Sequence, residues 1–429
     1  MTDKNAELVV SCLGACRYPS PLHLSTKPGD QIADFVPDEA RVLMNPLVGE
    51  AGPSFELAGP RPMNYFSGPE VTAGIVTCGG LCPGMNNVVR GLVLQLWHSY
   101  GVRRIYGFRY GFAGIGRSSP NPPILLTPEM VRAIHLQGGT ILGSSRGPQP
   151  PEEMVGTLQH LGVNMLFCVG GDGTMRGALS LHEELGRQNV PIAVVGVPKT
   201  IDNDLLHIER TFGFETAVSI AADSIRAAHV EAEGAPNGVG LVKLMGRHSG
   251  FIAASASMAS PEVNLVLVPE QRFTLSGTQG IVAYLRQRLK RRGHAVIVTA
   301  EGAGQEHLPP SDQRDASGNP KLRDIGVFLR DTLQRELADL DIVLKYIDPS
   351  YIIRAAPANP ADAIFCGRLA EEAVHSAMAG KTGVVMGLWL ERFTHVPLTA
   401  VTAARKVLSL DSPIWRSVLR STGQPDTWA

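Results

Sequence analysis

The stretch VVGVPKTIDND, residues 194 to 204, carries the residue types best suited to chemistry. Lys199, Thr200, Asp202 and Asp204 follow directly after an apolar run and a proline. A hydroxyl that attacks a phosphoryl group needs a base within hydrogen-bond reach, and either carboxylate could serve as that base or hold a metal. Lys199 would add positive charge for the transferred phosphate, and Thr200 would contact it. An Asx-turn at a strand end would explain one Asp but not the whole set, so we predict a phosphoryl-transfer site.

Two glycine-rich stretches indicate where phosphates would bind. TCGGLCPGMNN, residues 77–87, and GGDGTMRG, residues 170–177, each follow an apolar run. Glycine lets backbone N–H groups approach an anion, and the start of a helix adds its dipole. Asp172 adds a carboxylate that can hold Mg²⁺, directly or through water, although a plain turn would also explain an Asp there. Neither stretch is a Walker A loop or a GxGxxG fingerprint.

Further polar residues at the ends of apolar runs suit an anionic sugar. Arginine binds phosphate through two bonds, and a carboxylate accepts hydrogen bonds from sugar hydroxyls. Singly, each of these residues is more often an ordinary surface or salt-bridge residue. The candidates are Arg146 in LGSSRGPQ, Met245, Gly246 and Arg247 in KLMGRHSG, Glu301 in TAEGAG, and Lys345, Tyr351 and Arg354 in KYIDPSYIIR.

Apolar runs rich in Val and Ile recur from Thr72 onward and predict strands, most of them fully buried. They are AGIVT at 73, NMLFCVG at 164, PIAVVGV at 191, GVGLVKL at 238, VNLVLV at 263, HAVIVTA at 294, DIVLKYI at 341 and TGVVMGL at 382. Helical patterns lie between them, as after GGLCPGMN and in DSIRAAHVEAE from residue 223. Strands that alternate with helices predict an α/β fold with parallel sheets covered on both faces. In such folds ligands bind at the carboxyl ends of strands, where the motifs fall.

Composition bounds the class of protein. The chain has 429 residues, of which 39 are basic and 40 acidic, and its formal net charge is −1. The length predicts two or more domains, and the balanced charge argues against nucleic acid or an anionic membrane surface as a partner. No apolar run approaches the roughly 20 residues that cross a bilayer. Two pairs among the six cysteines, Cys12 with Cys16 and Cys78 with Cys82, have three residues between them, but no second ligand cluster at zinc-site spacing accompanies them. We therefore expect reduced thiols and a cytoplasmic protein.

Taken in order, seven motifs resemble those of the phosphofructokinase family: TCGGLCPGMN, GSSRG, GGDGT, PKTIDND, MGR, EG and YIIR. The resemblance runs from about Gly74 to about Leu388. It implies two interleaved Rossmann-like α/β domains with mostly parallel sheets flanked by helices, and an active site in the cleft between them. In this scheme residues 1–70 are a proline-rich N-terminal extension, 71–220 the nucleotide-binding domain and 221–380 the fructose 6-phosphate-binding domain. Residues 381–429 are a C-terminal strand and helices that pack back on the body.

The resemblance also implies roles for the candidate residues. Asp202 is similar to the base that takes the proton from the 1-hydroxyl of fructose 6-phosphate, with Asp204 and Lys199 as further catalytic residues. Thr200 and Arg146 resemble residues near the transferring phosphoryl group, and Asp172 the carboxylate associated with Mg²⁺. The implied nucleotide site contains Gly79, Arg146, Gly147, Gly171, Asp172, Gly173 and Thr174. The implied sugar-phosphate site contains Thr200, Ile201, Asp202, Met245, Gly246, Arg247, Glu301, Lys345, Tyr351 and Arg354.

Within this resemblance, position 173 predicts the phosphoryl donor. Pyrophosphate-using relatives typically carry Asp there, and its side chain would occupy the space of the nucleotide α-phosphate with the wrong charge, so Gly173 favours ATP. Lys199 argues the other way, because PKTIDND is typical of pyrophosphate-dependent members. A long-extension ATP-dependent subgroup combines GGDGT with PKTIDND, and this chain is similar to it. We therefore expect an ATP-dependent 6-phosphofructokinase of glycolysis that forms a homotetramer or dimer. A pyrophosphate-dependent enzyme, an NAD or lipid kinase and a non-catalytic nucleotide sensor are the alternatives.

Overall fold

A computed structural model gives the fold and describes residues 8–27, 29–47, 52–117, 119–314 and 320–428. The chain divides into two compact units, and it passes between them several times. Unit 1 contains the chain up to Thr200, then Leu205–Gly213 and Ala355–Arg405. Unit 2 contains Ile201–Asp204, Phe214–Arg354 and the chain from Lys406 onward.

The strands fall where the apolar runs predict them, with short additional strands in the N-terminal segment and near the C-terminus. In chain order they are β1 (Ser11–Cys12), β2 (Tyr18–Pro19), β3 (Arg41–Leu43), β4 (Ser54–Leu57), β5 (Met63–Asn64), β6 (Thr72–Thr77), β7 (Arg104–Phe108), β8 (Ile124–Leu125), β9 (Met165–Gly170), β10 (Ala193–Pro198), β11 (Gly238–Leu244), β12 (Leu265–Leu267), β13 (His294–Ala300), β14 (Val343–Ile347), β15 (Lys381–Thr382), β16 (Val384–Trp389) and β17 (Arg392–Pro397).

The α-helices lie between the strands, as the alternating pattern predicts. They are α1 (Met85–Leu94), α2 (Pro128–Val131), α3 (Pro151–His160), α4 (Asp172–Arg187), α5 (Phe214–Glu233), α6 (Phe251–Met258), α7 (Ile281–Arg292), α8 (Ile325–Glu336), α9 (Ser350–Ala355), α10 (Pro360–Met378), α11 (Leu398–Thr402) and α12 (Pro413–Thr422). Among the described residues, no helix is both long and apolar enough to cross a membrane.

Unit 1 is built on one large sheet with the strand order β3-β4-β17-β16-β10-β9-β6-β7-β8. The central strands β16, β10, β9, β6 and β7 run parallel to one another. Strands β6, β9 and β10 are buried at every residue, which explains their continuous apolar sequences. Because these strands are parallel, the loops after β6, β9 and β10 all lie at one edge of this sheet.

The N-terminal segment contributes two antiparallel strands to the edge of this sheet. β3 pairs with β4, and β4 pairs with β17, so residues from the two ends of the chain meet there. Phe55 is fully buried and packs edge-on against Trp389. β16 and β17 form a hairpin whose two loop residues, Leu390 and Glu391, both have positive φ, as a type I′ turn requires.

Unit 2 is built on a smaller parallel sheet with the order β12-β13-β11-β14. The predicted α/β fold class with mostly parallel sheets is thereby confirmed in both units. β14 differs from the buried strand that its apolar run suggests, because Val343 and Lys345 are exposed. β14 is an edge strand. Successive side chains of a strand point to opposite faces of the sheet, so Val343 and Lys345 lie on an exposed face while Leu344 and Tyr346 are partly buried.

Candidate functional site

Two loops of unit 1 are joined by hydrogen bonds at the carboxyl edge of the large sheet. Gly79, in the loop after β6, has φ of 86°, a conformation that favours glycine. Its N–H donates to the carbonyl of Ser145 at 2.9 Å, and the Ser144 hydroxyl donates to the carbonyl of Gly79 at 2.7 Å. The TCGG and GSSRG motifs are therefore neighbours in space. Arg146, the next residue, is exposed beside them.

Lys199 belongs to the same edge, directly after β10. Its side chain is 6% exposed, and its ammonium group donates to the carbonyl of Gly80 at 2.7 Å. Its backbone N–H donates to the carbonyl of Gly170, the last residue of β9. A Cβ atom on Gly79 would lie 3.5 Å from the Lys199 ammonium nitrogen. Lys199 thus supplies a positive charge beneath the first glycine loop.

The GGDGT motif forms the turn from β9 into α4. A Cβ atom on Gly170 would lie 2.1 Å from the Thr174 hydroxyl oxygen, so only glycine fits at that position. The N–H of Thr174 donates to the carbonyl of Gly171, which precedes the first residue of the helix. A Cβ atom on Gly173 would meet no atom within 4 Å. This open first turn at the positive end of a 16-residue helix can accept an anionic group.

Asp172, the first residue of α4, contacts two arginines. Arg176 lies one turn further along α4, at 3.2 Å from one carboxylate oxygen. Arg405 reaches the other oxygen at 3.1 Å from the segment after α11. The spacing of Asp172 and Arg176 by four residues on a predicted helix could have indicated their pairing. Arg405 is 233 residues away along the chain, and no pattern in the sequence links it to Asp172.

The residues of unit 1 fit a magnesium ion held together with a nucleotide. Among the described residues, no group of three or more His, Cys, Asp or Glu could hold a metal by itself. Mg²⁺ is commonly held by one or two carboxylates with substrate phosphates and water, rather than by a full protein cage. Asp172, at the mouth of the glycine turn, is the carboxylate that matches this arrangement.

The second half of the PKTIDND motif leads the chain into unit 2. In unit 1 the carbonyl of Thr200 accepts a hydrogen bond from the Thr211 hydroxyl at 2.6 Å. In unit 2 the carbonyl of Asp202 accepts from the Ser249 hydroxyl at 3.0 Å, and that of Asp204 accepts from the N–H of Lys406 at 3.0 Å. Ile201 and Asp204 are buried, whereas Asp202 is partly exposed. Backbone contacts therefore fix the segment, and the Asp202 side chain is partly exposed while one of its carboxylate oxygens, Oδ1, is buried.

Two loops of unit 2 meet at the carboxyl ends of β11 and β13. The N–H of Glu301 donates to the carbonyl of Leu244, and the N–H of Gly302 donates to the carbonyl of Gly246. Gly246 has φ of 128°, and a Cβ atom on it would lie 2.5 Å from the Ser249 carbonyl oxygen. The guanidinium of Arg247 donates to the carbonyl of Pro320. The MGR and EG motifs are thus adjacent, as strands paired in parallel require.

Burial raises the pKa of Glu301 above its usual value, although the cations of Lys243, Arg247 and Arg354 oppose that rise. Arg354, which is partly exposed on α9, therefore acts electrostatically on Glu301. Tyr351, also on α9, is 82% exposed. Lys345 lies apart from this group, because it pairs with Gly240 in the middle of the sheet and its ammonium faces Glu231 of α5 at 4.0 Å.

A charge cluster outside the seven motifs supports these loops. The ammonium of Lys243 lies 2.8 Å from the carboxylate of Asp348 and 3.1 Å from that of Asp324. Asp324 accepts a hydrogen bond from Val327 and so caps α8, whereas Asp348 accepts from the N–H and hydroxyl of Ser350 at the start of α9. Lys243 thereby links β11 to the helix that carries Tyr351 and Arg354. Lys243 lies within GVGLVKL, which predicts a strand, and nothing in that run indicates the role of Lys243.

Comparisons with known proteins agree with this fold. The phosphofructokinase family model matches residues 72–377. An ATP-dependent 6-phosphofructokinase of Amycolatopsis methanolica is 49% identical over 98% of this chain and 95% of its own length. One of Trypanosoma brucei brucei is 50% identical over 86% of this chain and 76% of its own length. The crystal structure of a pyrophosphate-dependent phosphofructokinase from Marinobacter aquaeolei shares the fold, with a TM-score of 0.68, 21% identity, and coverage of 83% of this chain and 93% of that one.

The parallel sheets and the polar loops at their carboxyl ends define an α/β protein of the class that binds its ligands at the ends of the strands. Within that class, the chain belongs to the phosphofructokinase family, because the family model covers most of its length and close relatives align with nearly all of it. The predicted family resemblance is confirmed. The roles of individual residues, which these comparisons do not test, stay predictions.

Proposed function

We propose that this protein is an ATP-dependent 6-phosphofructokinase, which transfers the γ-phosphoryl group of ATP to the 1-hydroxyl of fructose 6-phosphate in glycolysis. The observation that carries the proposal is the 49% identity, over 98% of the chain, to an enzyme of that name. The open space beside Gly173 supports ATP as the donor, because no protein atom there competes with a nucleotide phosphate.

In unit 1, the chain's own groups bind and neutralise the donor. The first turn of α4 and the Gly79 loop offer backbone N–H groups to phosphate oxygens, and Lys199 and Arg146 supply positive charge. Gly147, with φ of 110°, allows the chain to turn beside Arg146. Asp172 would hold Mg²⁺ with the nucleotide phosphates. When bound, the ion neutralises negative charge on those phosphates.

Unit 2 supplies the acceptor groups. Arg247 and Arg354 bind the sugar phosphate, and Glu301 accepts hydrogen bonds from sugar hydroxyls. Asp202 takes the proton of the 1-hydroxyl as that oxygen attacks the phosphoryl group, and Thr200, which belongs to unit 1, contacts the phosphoryl group. The partial exposure of Asp202 supports this role, because a base must be within reach of a substrate that enters from solvent.

A pyrophosphate-dependent phosphofructokinase is the second candidate. Lys199 favours it, since a buried ammonium beneath the Gly79 loop suits a compact, highly charged donor. The open position beside Gly173 favours the nucleotide.

The decisive experiment offers ATP and pyrophosphate separately to the purified full-length protein with fructose 6-phosphate and Mg²⁺. We expect fructose 1,6-bisphosphate to form with ATP, and formation to stop when a chelator removes the metal. Turnover with pyrophosphate alone would establish the second candidate. Nucleotide binding without product, with any sugar phosphate offered, would instead indicate a non-catalytic sensor.

A homotetrameric or dimeric assembly and a cytoplasmic location complete the proposal. Mass measurement of the purified protein in solution tests the assembly, and fractionation of cells tests the location.

A further inference from the structure

We propose that Arg405 is a phosphate-binding residue of the donor site, which Asp172 holds in place until the nucleotide enters. The inference rests on the proposed function, because it concerns the same donor site. Arg405 lies outside residues 72–377, which the family model matches, and none of the seven motifs contains it.

The contacts of Arg405 place its guanidinium at the start of α4. Its backbone forms an antiparallel bridge with Leu205, which fixes the base of the side chain. Its terminal nitrogen lies 3.1 Å from a carboxylate oxygen of Asp172, beside the glycine turn that the proposed function assigns to nucleotide phosphates. Only 11% of the Asp172 side chain is exposed, against 31% of that of Arg405. The carboxylate is therefore the fixed partner, and the guanidinium has space to turn.

More positive charge lies at this position than is needed to neutralise the Asp172 carboxylate. Arg176 also contacts the Asp172 carboxylate, so two guanidiniums face one carboxylate and the three side chains carry a net charge of +1. A surplus cation at the positive end of a helix favours the arrival of an anion. A guanidinium also matches the oxygens of a phosphate group in two-bond geometry. When nucleotide phosphates occupy the turn, Arg405 can turn from Asp172 to them, while Arg176 still pairs with the carboxylate.

The Arg405–Lys406 segment is also tied to the PKTIDND motif. In unit 1 Arg405 pairs with Leu205, and in unit 2 the N–H of Lys406 donates to the carbonyl of Asp204. The segment is therefore held to the residues that directly follow Asp202. Because the backbone is held at both Arg405 and Lys406, the Arg405 side chain starts from a fixed position, which suits a residue that binds its ligand in one geometry.

The test measures equilibrium binding of ADP by calorimetry, once with Mg²⁺ and once with a chelator, to full-length wild type, Arg405→Gln and Asp172→Asn. We expect Arg405→Gln to weaken ADP binding by a factor of about 10 to 100, the usual effect of losing one charged hydrogen bond. The affinity for fructose 6-phosphate should change less than threefold. Arg416→Gln, which removes an exposed arginine from α12, is the matched control and should bind ADP as wild type does.

The double variant Asp172→Asn/Arg405→Gln separates a direct contact with phosphate from a role through Asp172. If Arg405 binds phosphate, Arg405→Gln weakens ADP binding in the Asp172→Asn background as well. A loss that disappears in that background, or wild-type affinity in Arg405→Gln, overturns the proposal. If Arg405→Gln shows no cooperative thermal unfolding, Arg405→Lys replaces it, with an expected loss of about two- to tenfold, and wild-type affinity again overturns the proposal.

Failure of this inference is distinguishable from failure of the proposed function. A wild-type protein that binds no ADP and uses pyrophosphate contradicts the proposed function. A wild-type protein that binds ADP and phosphorylates fructose 6-phosphate, with Arg405→Gln equal to it, contradicts the role of Arg405 alone.

Discussion

Asp202 is a partly exposed carboxylate on a segment whose backbone is fixed by Ser249 and Lys406. Asp202→Asn keeps the shape of the side chain and removes its basicity. We expect kcat to fall by about 10² to 10⁴, the range for loss of a positioned base, while the binding of fructose 6-phosphate is largely kept. Steady-state kinetics and direct binding measure the two effects. Unchanged turnover would remove Asp202 from the role of base.

Gly173 allows a second test at the residue scale, because a Cβ atom there meets no protein atom within 4 Å and a small side chain should not disturb the fold. We expect Gly173→Asp to reduce turnover with ATP by about 10² or more, since a carboxylate beside a nucleotide phosphate costs several kcal/mol. Gly173→Asn, of nearly equal size but without charge, is the control for bulk and should lose less. Full ATP activity in Gly173→Asp would show that position 173 does not contact the nucleotide.

At the scale of elements, a buried charge network holds the N-terminal strands to the sheet. Glu56 on β4 lies 2.8 Å from the ammonium of Lys381, 3.0 Å from the ring of His395 and 3.1 Å from the guanidinium of Arg61. Burial alone would raise the pKa of Glu56, but its hydrogen bonds with His395 and Lys381 outweigh that effect and lower the pKa to about 2. The network thus favours the ionised carboxylate, and β4 depends on it.

Removing the charge of Glu56 should therefore destabilise the protein. We expect Glu56→Gln to lower the free energy of unfolding by about 3 kcal/mol at pH 7, because cations around it stay buried. The pKa of Glu56 is about 2 when folded and about 4.3 when unfolded, so its contribution is present above about pH 4.3 and is lost as the pH falls toward 2. The unfolding temperatures of wild type and Glu56→Gln should be measured between pH 7 and pH 3. The difference between the two temperatures should become smaller as the pH falls.

Glu39→Gln is the control for that experiment, because Glu39 is an exposed carboxylate of the same N-terminal segment. Its unfolding temperature should match that of wild type at every pH. If the unfolding temperatures of Glu56→Gln and wild type differ by the same amount down to pH 3, the ionised Glu56 carboxylate does not stabilise the protein as proposed.

Elements with long apolar runs could be predicted from the sequence, and those whose partners lie far along the chain could not. β6, β9 and β10 are buried along their whole length, so each appears as an unbroken apolar run. β3 and β4 are three and four residues long, too short for a period to appear, and they depend on β17. The motif residues follow the strands and were found for that reason, whereas Arg405 and Lys243 reach the loops through contacts that no local pattern records.

At the scale of the whole molecule, unit 1 needs the chain beyond the family-matched region. A chain that ends at Met378 lacks β16, the parallel partner of β10, and β17, the partner of β4. We expect it to be insoluble or to lack a cooperative unfolding transition, because β10 would become an exposed apolar edge. Solubility and circular dichroism, with the full-length chain as reference, measure the outcome. A soluble truncated chain with cooperative unfolding would show that β16 and β17 are dispensable.

The strand order of the large sheet has a consequence for biosynthesis. β10 lies beside β16, and β3 and β4 join the sheet only through β17, so strands from the start of the chain depend on strands made near its end. At ordinary rates of translation, β10 emerges from the ribosome roughly ten seconds or more before β16 does. During that interval β10 is an apolar strand without its neighbour. Nascent chains can then aggregate through this strand, so a cell that makes the protein must keep them apart for that time.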